Sequence, residues 1–464
     1  MKLGGFLKLL SGNVTAQIVS VLTLPLLAGL YGLEEFGTAY LVISIATILV
    51  AIGLLGLQQA IVVHKSEQLA FDTLVLSLGG LLATVLLFYF MTTRGVLESF
   101  SKGLVFKIFP AEIIATAVAL GLMTLLMSLA NRDRSYGAIA VSRISGAIAY
   151  AGAAIALGAM FGYLTSQLIF AFLFCQVITI TCLVLPIVKL KRIRSNFHLT
   201  KQNIVANKKF LAFTYPTNIL SAFTINLPNI LIAAAYSAGK AGLFVLAFRI
   251  IQGPINLAGF ALGQIFLKNF SELEITAAKK QVLLATGLML RMLAGPLAIF
   301  VSLLSIIPRH SIGSDWGDAL SIVIYFLPWM LLWFIAKPVA GVLMTTGRNS
   351  LALLGQVITI FFQILGITIG VLLESFNYSM IGLGVSGFAS YLIYLGIIFR
   401  SMDVALAELF ENLIDAWIAV LAFFLAYIFG LLGLTSGLTI GLIMALVMFD
   451  LIKLKQEWRN HVSI

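Results

Sequence analysis

A chain of 464 residues that is 61% hydrophobic and 10% charged, with a net charge of +11, does not have the composition of a soluble protein. Soluble domains are roughly 45–50% apolar and about 25% charged; with a mean hydropathy of +1.08, lipid must be the solvent for most of this chain. The basic excess invites a nucleic-acid reading, but the placement of the charges follows membrane topology instead.

The opening segment, MKLGGFLKLLSGNVTAQ, has two lysines and no short apolar core followed by a small-residue cleavage site. It is expected to be a retained first helix and not a signal peptide. Apolar runs of about 20 residues predict an all-α polytopic membrane protein with fourteen helices. The first six cover Lys8–Leu30, Gly37–Val62, Ala70–Met91, Pro110–Ala130, Gly137–Phe161 and Tyr163–Val188. The next six cover Leu211–Tyr236, Ala241–Leu267, Gln281–Ile307, Trp316–Met344, Ser350–Leu373 and Ser379–Arg400. Leu413–Gly430 and Leu432–Leu454 complete the set.

Basic residues accumulate on the side of a membrane that they need not cross. With the N-terminus inside, twenty of the 29 Lys and Arg residues fall at cytoplasmic positions, five at outer ones and four within helices. Both termini are therefore expected in the cytoplasm of a multi-pass cytoplasmic (inner) membrane protein, and no nucleic-acid partner is needed to explain the charge. The densest cluster, Lys189–Phe210, carries seven basic residues and no acidic one. It is expected to join a six-helix N-terminal lobe (1–188) to a six-helix C-terminal lobe (211–400), as a linker over 189–210. Residues 401–464 then supply a surface helix, with apolar Val404, Leu406, Leu409, Phe410 and Leu413 on one side, followed by helices 13 and 14. The outer segment Thr93–Lys107 is a weaker surface candidate. Cys175 and Cys182 lie seven residues apart on one helix face, about 10 Å apart and too far to bridge.

An internal repeat supports the two lobes. A shift of 205 lays Asn13–Ile45 on Asn218–Ile250 without gaps. It matches Asn13 with Asn218, Ala28 with Ala233, Tyr31 with Tyr236, Gly37 with Gly242 and Leu41 with Leu246. Six helices per lobe is an even number, so the halves share one orientation about an axis along the membrane normal.

An ionised side chain at the bilayer centre costs at least about 2.5 kcal/mol, so it normally faces a cavity. Arg143, Arg249, Arg291 and Lys337 fall inside predicted helices, Arg249 and Arg291 nearest mid-depth, while Arg143 and Lys337 are close enough to an end to snorkel. No acid lies comparably deep: Glu112 and Asp318 begin helices at the outer face and Asp450 is near an inner end. An anionic ligand suits such a set, and diphosphate matches the guanidinium fork; hydrogen bonds to carbonyls at helix kinks are the competing explanation. Polar stripes at helical spacing mark candidate cavity-lining residues: Asn13, Gln17 and Ser20; Thr214, Asn218 and Ser221; and Arg249, Gln252 and Asn256. Helix–helix hydrogen bonding explains such stripes equally well. Prolines 25, 216, 228, 254, 296, 328 and 338 are expected inside helices, where each permits a kink.

Other motifs carry no chemistry. Gly382-Leu-Gly384-Val-Ser-Gly387 fits GxGxxG but opens an apolar helix with no strand before it. GxxxxGK[ST] is missing, and His64, His198, His310 and His461 are scattered over loops and termini. No catalytic residues, metal site or cofactor are expected, and the chain is not read as an enzyme.

Four segments carry a family resemblance: SGNVTAQIVSVLTLPLLAGLYGLEEFGTAYLVISI, QQAIVVHKS, LFVLAFRIIQGPINLAGFALGQIF and GSDWGDA. In their order and spacing the chain resembles the Wzx-like oligosaccharide-lipid flippases of the multidrug/oligosaccharidyl-lipid/polysaccharide exporter superfamily. The resemblance implies two six-helix bundles around a cationic central cavity. That cavity takes the diphosphate-sugar head of an undecaprenyl-type lipid while the lipid tail stays in the bilayer. Alternating access then turns the head group over. It further implies membrane lipids, polysaccharide polymerase and glycosyltransferases as partners, and a role in polysaccharide or O-antigen (lipopolysaccharide) synthesis. Arg249 is the residue it carries over best. Relatives often have Glu where this chain has Gln58 or Gln59, so carboxylate-based ion coupling through this helix is not expected. A multidrug-type cation exporter would want deep carboxylates, a polymerase or ligase a long outer loop, and a lipid II-type flippase stays open on charge.

Overall fold

The computed structural model describes residues 3–64, 66–95, 109–189, 205–208, 210–253, 275–306, 314–346, 348–413, 416–432, 443–444 and 446–447. Every regular element among them is helical. In chain order they are α1 (Leu3–Tyr31), α2 (Leu33–Gly53), α3 (Gln58–Val63), α4 (Glu67–Thr93), α5 (Pro110–Arg132), α6 (Tyr136–Phe161) and α7 (Thr165–Lys189). A single turn at 205–208 (α8) and a π-helical turn at Phe210–Thr214 lead into α9 (Tyr215–Ala235) and α10 (238–253). Then come α11 (Ile275–Ile306), α12 (Ser314–Val339), α13 (Gly341–Thr345), α14 (Asn349–Leu372), α15 (Phe376–Ser401), α16 (Leu406–Leu413) and α17 (Trp417–Leu432). A backbone in hydrocarbon must satisfy its own hydrogen bonds, which leaves the helix as the form for such apolar runs.

Eleven of the described helices are long and apolar enough to cross a membrane. The predicted fourteen are not all within reach: helix 8 is described only as far as Gly253, and helix 14 falls almost wholly outside the described residues, as does most of Thr93–Lys107. The first part of the appended pair appears as a shorter apolar helix, Ile418–Phe429. Leu22, Leu86, Leu87 and Phe90 are 71, 66, 59 and 54% exposed. Large apolar side chains displayed in this way need lipid around them.

Contacts divide the chain into two compact units, Met1–Arg249 and Ile250–Ile464. In the first, Ala46, Val50, Leu54, Ile61, Leu81, Val85, Ala117 and Leu125 form a core shared by α2, α3, α4 and α5. Predicted helix 2 proves to be two helices. α2 ends at Gly53, and the chain turns through Leu55 (φ 54°) and Gly56 (φ 69°) before α3 begins. A Cβ on Gly56 would lie 2.7 Å from the backbone nitrogen of Tyr215, so glycine serves both the left-handed φ and the close approach. Tyr215 opens α9, which places Pro216 in its first turn and not in a helix interior as expected. A missing N–H there breaks no ladder bond.

The repeat has a physical counterpart where α2 and α10 begin. A Cβ on Gly37 would sit 1.9 Å from the carbonyl oxygen of Ala238, and one on Gly242 would sit 2.0 Å from that of Leu33. Under the shift of 205 these are one contact made twice, since Leu33 maps onto Ala238 and Gly37 onto Gly242. The two helices thus meet backbone to backbone across a local pseudo-two-fold axis, a closeness that only small residues allow. Near the other end of α2, Arg132 Nη1 donates to the carbonyls of Ile61 (3.0 Å) and His64. Asn207 of α8, fully buried, donates from Nδ2 to Thr73 Oγ1 (3.1 Å), and its Oδ1 pairs with His64 Nε2 (2.9 Å). The end of the basic stretch is therefore fastened to α3 and α4, which its charge alone did not reveal.

In the second unit the GxGxxG look-alike is a packing seam on α15. Cβ atoms on Gly382, Gly384 and Gly387 would meet the Gly366 carbonyl oxygen (2.3 Å), the Tyr325 carbonyl oxygen (2.4 Å) and the Trp329 indole (2.4 Å). Small residues bring membrane helices together in this way. The surface helix expected over 401–415 is shorter, at Leu406–Leu413. Lys279 Nζ ties it to α11 through Glu408 Oε2 (2.6 Å) and the Asp403 carbonyl (2.8 Å). That hydrogen bond from Lys279 holds the Glu408 carboxyl below the usual carboxylate range, so the tie persists at neutral pH and is lost as pH falls through the lowered pKa.

Gly37→Val and Gly242→Val should each cost about 1–3 kcal/mol through overpacking, read as a fall in melting temperature in detergent. Gly79→Val, where a Cβ meets nothing within 4 Å, should leave it unchanged. Asn207→Ala should cost about 1–3 kcal/mol by stranding its buried partners, in the same measurement.

Candidate functional site

Arg249 lies on α10 at the end of the first unit, and it remains exposed although the eight residues before it are all buried. Its guanidinium carbon stands 4.2 Å from the centroid of the Tyr40 ring, on α2. This is a cation–π contact, well inside the distance of about 6 Å at which such attraction counts. Among the described residues no acidic side chain pairs with Arg249. Tyr40 is itself 6% exposed. Phe36, one turn earlier, covers it at 4.5 Å between ring centroids. Tyr150 on α6 lies near both Tyr40 and Arg249. Tyr150 is braced in turn by the edge of Phe172 on α7, at 6.2 Å.

The remaining predicted cations lie on α6, α11 and α12. Arg143 is exposed on α6. At i and i+7 it shares a face with Tyr150, about 10 Å away along the axis. Between them Gly146 lets α7 approach: a Cβ there would meet Thr179 Oγ1 at 2.5 Å. Arg291 and Lys337 belong to the second unit. Arg291 is 6% exposed on α11. Lys337 is exposed at the end of α12, with its ammonium 5.3 Å from the ring of Trp333 one turn before it. Arg249 and Arg143 thus belong to the first unit, and Arg291 and Lys337 to the second.

The predicted polar stripes are partly buried. Asn13 Oδ1 and Asn218 Nδ2 each lie buried without a hydrogen-bond partner. These two are related by the shift of 205. Gln17 and Gln252 are partly buried, and Asn256 lies outside the described residues. Gln58, at the start of α3, also has a buried Oε1 without a partner.

Sequence reasoning missed several members. Asn229 is 2% exposed; it donates to Ser44 Oγ at 3.1 Å, and its Oδ1 has no partner. Ser44 is one turn from Tyr40 on α2. Asn229 was detectable, because it lies eleven residues beyond Asn218 on the same helical face. Gln176, one turn beyond Phe172, has a buried Oε1 without a partner. Asp72, 4% exposed, is a buried acid that the sequence survey passed over. It accepts from Gln68 Nε2 at 3.0 Å in the second turn of α4. Tyr40 and Tyr150 gave no signal, since tyrosine in an apolar run reads as core. Among the described residues no group of three His, Cys, Asp or Glu side chains could hold a metal. The arrangement offers a guanidinium with its charge uncancelled, amide and hydroxyl groups nearby, and no described acid to compete.

The family model described as "Polysaccharide biosynthesis protein" matches residues 26–321. No curated protein matches the chain by sequence. Among solved structures, the lipid II flippase MurJ in an inward closed conformation is similar at a TM-score of 0.69 and 14% identity, covering 97% of this chain and 98% of that one. An inward-facing multidrug resistance MATE family transporter of the MOP superfamily follows at 0.60 and 13%, covering 85% and 94%. A point mutant of the Vibrio cholerae MATE transporter VcmN gives 0.59 and 12%, covering 87% and 97%. With its fold shared with MurJ and the MATE transporters and its sequence matched over more than half its length, the chain belongs to the polysaccharide biosynthesis protein family.

Proposed function

We propose that this protein is a membrane flippase that carries an undecaprenyl-diphosphate-linked oligosaccharide across the cytoplasmic membrane by alternating access, for polysaccharide synthesis. The observation that carries this reading is Arg249: a fixed positive charge in a membrane helix, held on an aromatic ring and matched by no described acid. An unneutralised guanidinium costs free energy in an apolar surrounding, and a diphosphate arriving with its lipid offsets that cost through two-pronged hydrogen bonds. Arg143, Arg291 and Lys337 are proposed to guide the anion toward and away from this point, with Asn13, Gln17, Asn218, Gln252 and Asn256 hydrogen-bonding the sugar. Lobes 1–188 and 211–400, joined by the basic stretch 189–210, are the bodies proposed to rock. Both termini are placed in the cytoplasm, and glycosyltransferases and a polymerase are the proposed neighbours in the reaction sequence.

A lipid II-type cargo is the second reading, favoured by the near-complete coverage of MurJ. It shares the lipid-diphosphate chemistry and differs in the sugar. A multidrug cation exporter fits less well, because Asp72 is the one buried acid among the described residues of the first unit and it is already hydrogen-bonded by Gln68.

In proteoliposomes, Arg249→Ala should slow head-group turnover of a lipid-diphosphate sugar by about 10–100-fold, the equivalent of losing one charge-assisted hydrogen-bond pair, while Arg249→Lys retains part of the rate. An alanine variant that turns the head group over at the unsubstituted rate removes Arg249 from the site. A reporter fluorescent only in the cytoplasm, fused after Ile464, should light up; silence would reverse the topology.

A further inference from the structure

The aromatic side chains that lead from Arg249 point to residues that no sequence motif marked. An arginine carries five N–H donors in the plane of its guanidinium and is long enough to wander. An acidic partner would hold it still but would cancel its charge and occupy its fork. Tyr40 holds it differently: the ring meets the guanidinium carbon at 4.2 Å, and an aromatic contact leaves the positive charge uncancelled. The ring is in turn supported by neighbours. Phe36 lies against it at 4.5 Å, Tyr150 lies near it, and Phe172 braces Tyr150 at 6.2 Å. Helices α2, α6 and α7 thus combine to build one platform for a residue on α10.

We propose that Tyr40 and Tyr150 are positioning residues for Arg249, immobilising its guanidinium without neutralising it so that its N–H fork is aimed at the diphosphate of the lipid carrier. This rests on the reading of Arg249 as the diphosphate-binding group. Tyr40 acts through its ring and Tyr150 through its hydroxyl, which fixes the ring's direction. The two make separable contributions.

The test is a double-mutant cycle on the purified full-length protein in detergent, with farnesyl diphosphate as the probe. Tyr40→Phe keeps the ring and loses only the hydroxyl, so it should bind within about fivefold of the unsubstituted protein, as Tyr150→Phe should. Tyr40→Leu removes the platform and should weaken binding by about three- to thirtyfold, the range of a cation–π contact. In the Arg249→Ala background the same Tyr40→Leu change should have no further effect, because a positioning residue has nothing left to position. Additive losses mean that Tyr40 acts on folding alone and overturn the proposal. If the Tyr40→Leu protein is not monodisperse, Tyr150→Phe carries the cycle: a two- to fivefold loss that vanishes in the Arg249→Ala background supports it, and no loss overturns it. An Arg249→Ala protein that binds the probe normally overturns the site assignment itself, and the positioning role with it. That result is distinct from normal loss at Arg249 with additive behaviour at Tyr40.

Discussion

A positive charge placed in an apolar helix must be compensated by something, and everything proposed for this protein follows from how little the described residues supply at Arg249. Its neighbour is a ring and not a carboxylate. Aromatic contact steadies a guanidinium while sparing its charge and its hydrogen-bonding edge. A neutral, closed ion pair would make this position a structural strut. Under the proposed function, this arrangement makes it a place where an anion lowers the free energy of the protein and of its own passage through lipid at once.

The scaffold around that charge is built by close contact more than by bulk. Gly37 and Gly242 let two helices touch backbone to backbone, and the contact obeys the internal repeat, with each glycine set against the carbonyl of its partner's equivalent. Tyr40 lies three residues beyond Gly37 and Arg249 seven beyond Gly242. The pseudo-symmetric crossing therefore fixes the two helices within two turns of the cation–π pair. At the other end of the first unit, Asn207 fastens the last described turn of the basic stretch to His64 and Thr73, and Arg132 holds the Ile61 carbonyl beside them. One unit is thus anchored at both ends of α2, with the candidate site between.

Much of this was legible in the sequence because a bilayer imposes simple rules. Lengths of apolar runs located most helices, and an isolated arginine stood out as an unpaired charge. The break after Gly53 was invisible, since Leu-Leu-Gly-Leu is as apolar as the helix it interrupts and only the approach of Tyr215 makes Gly56 necessary. Pro216 read as a kink because the π-helical turn before it cannot be seen in hydropathy. Tyr40 and Tyr150 were hidden for a related reason: their role depends on contacts between residues more than a hundred positions apart. Asn229 could have been found, because it continues the helical face of Asn218, and Asp72 could have been found as an acid in an apolar run. The GxGxxG pattern was rightly set aside, and its three glycines turn out to be contact points between helices.

The most direct test is an experimental structure of the protein in lipid with an isoprenoid diphosphate bound. The account predicts phosphate oxygens within hydrogen-bond distance of the Arg249 fork, with the guanidinium still resting on Tyr40. A guanidinium turned into the acyl chains, or bound to an acidic side chain with the diphosphate elsewhere, would contradict it.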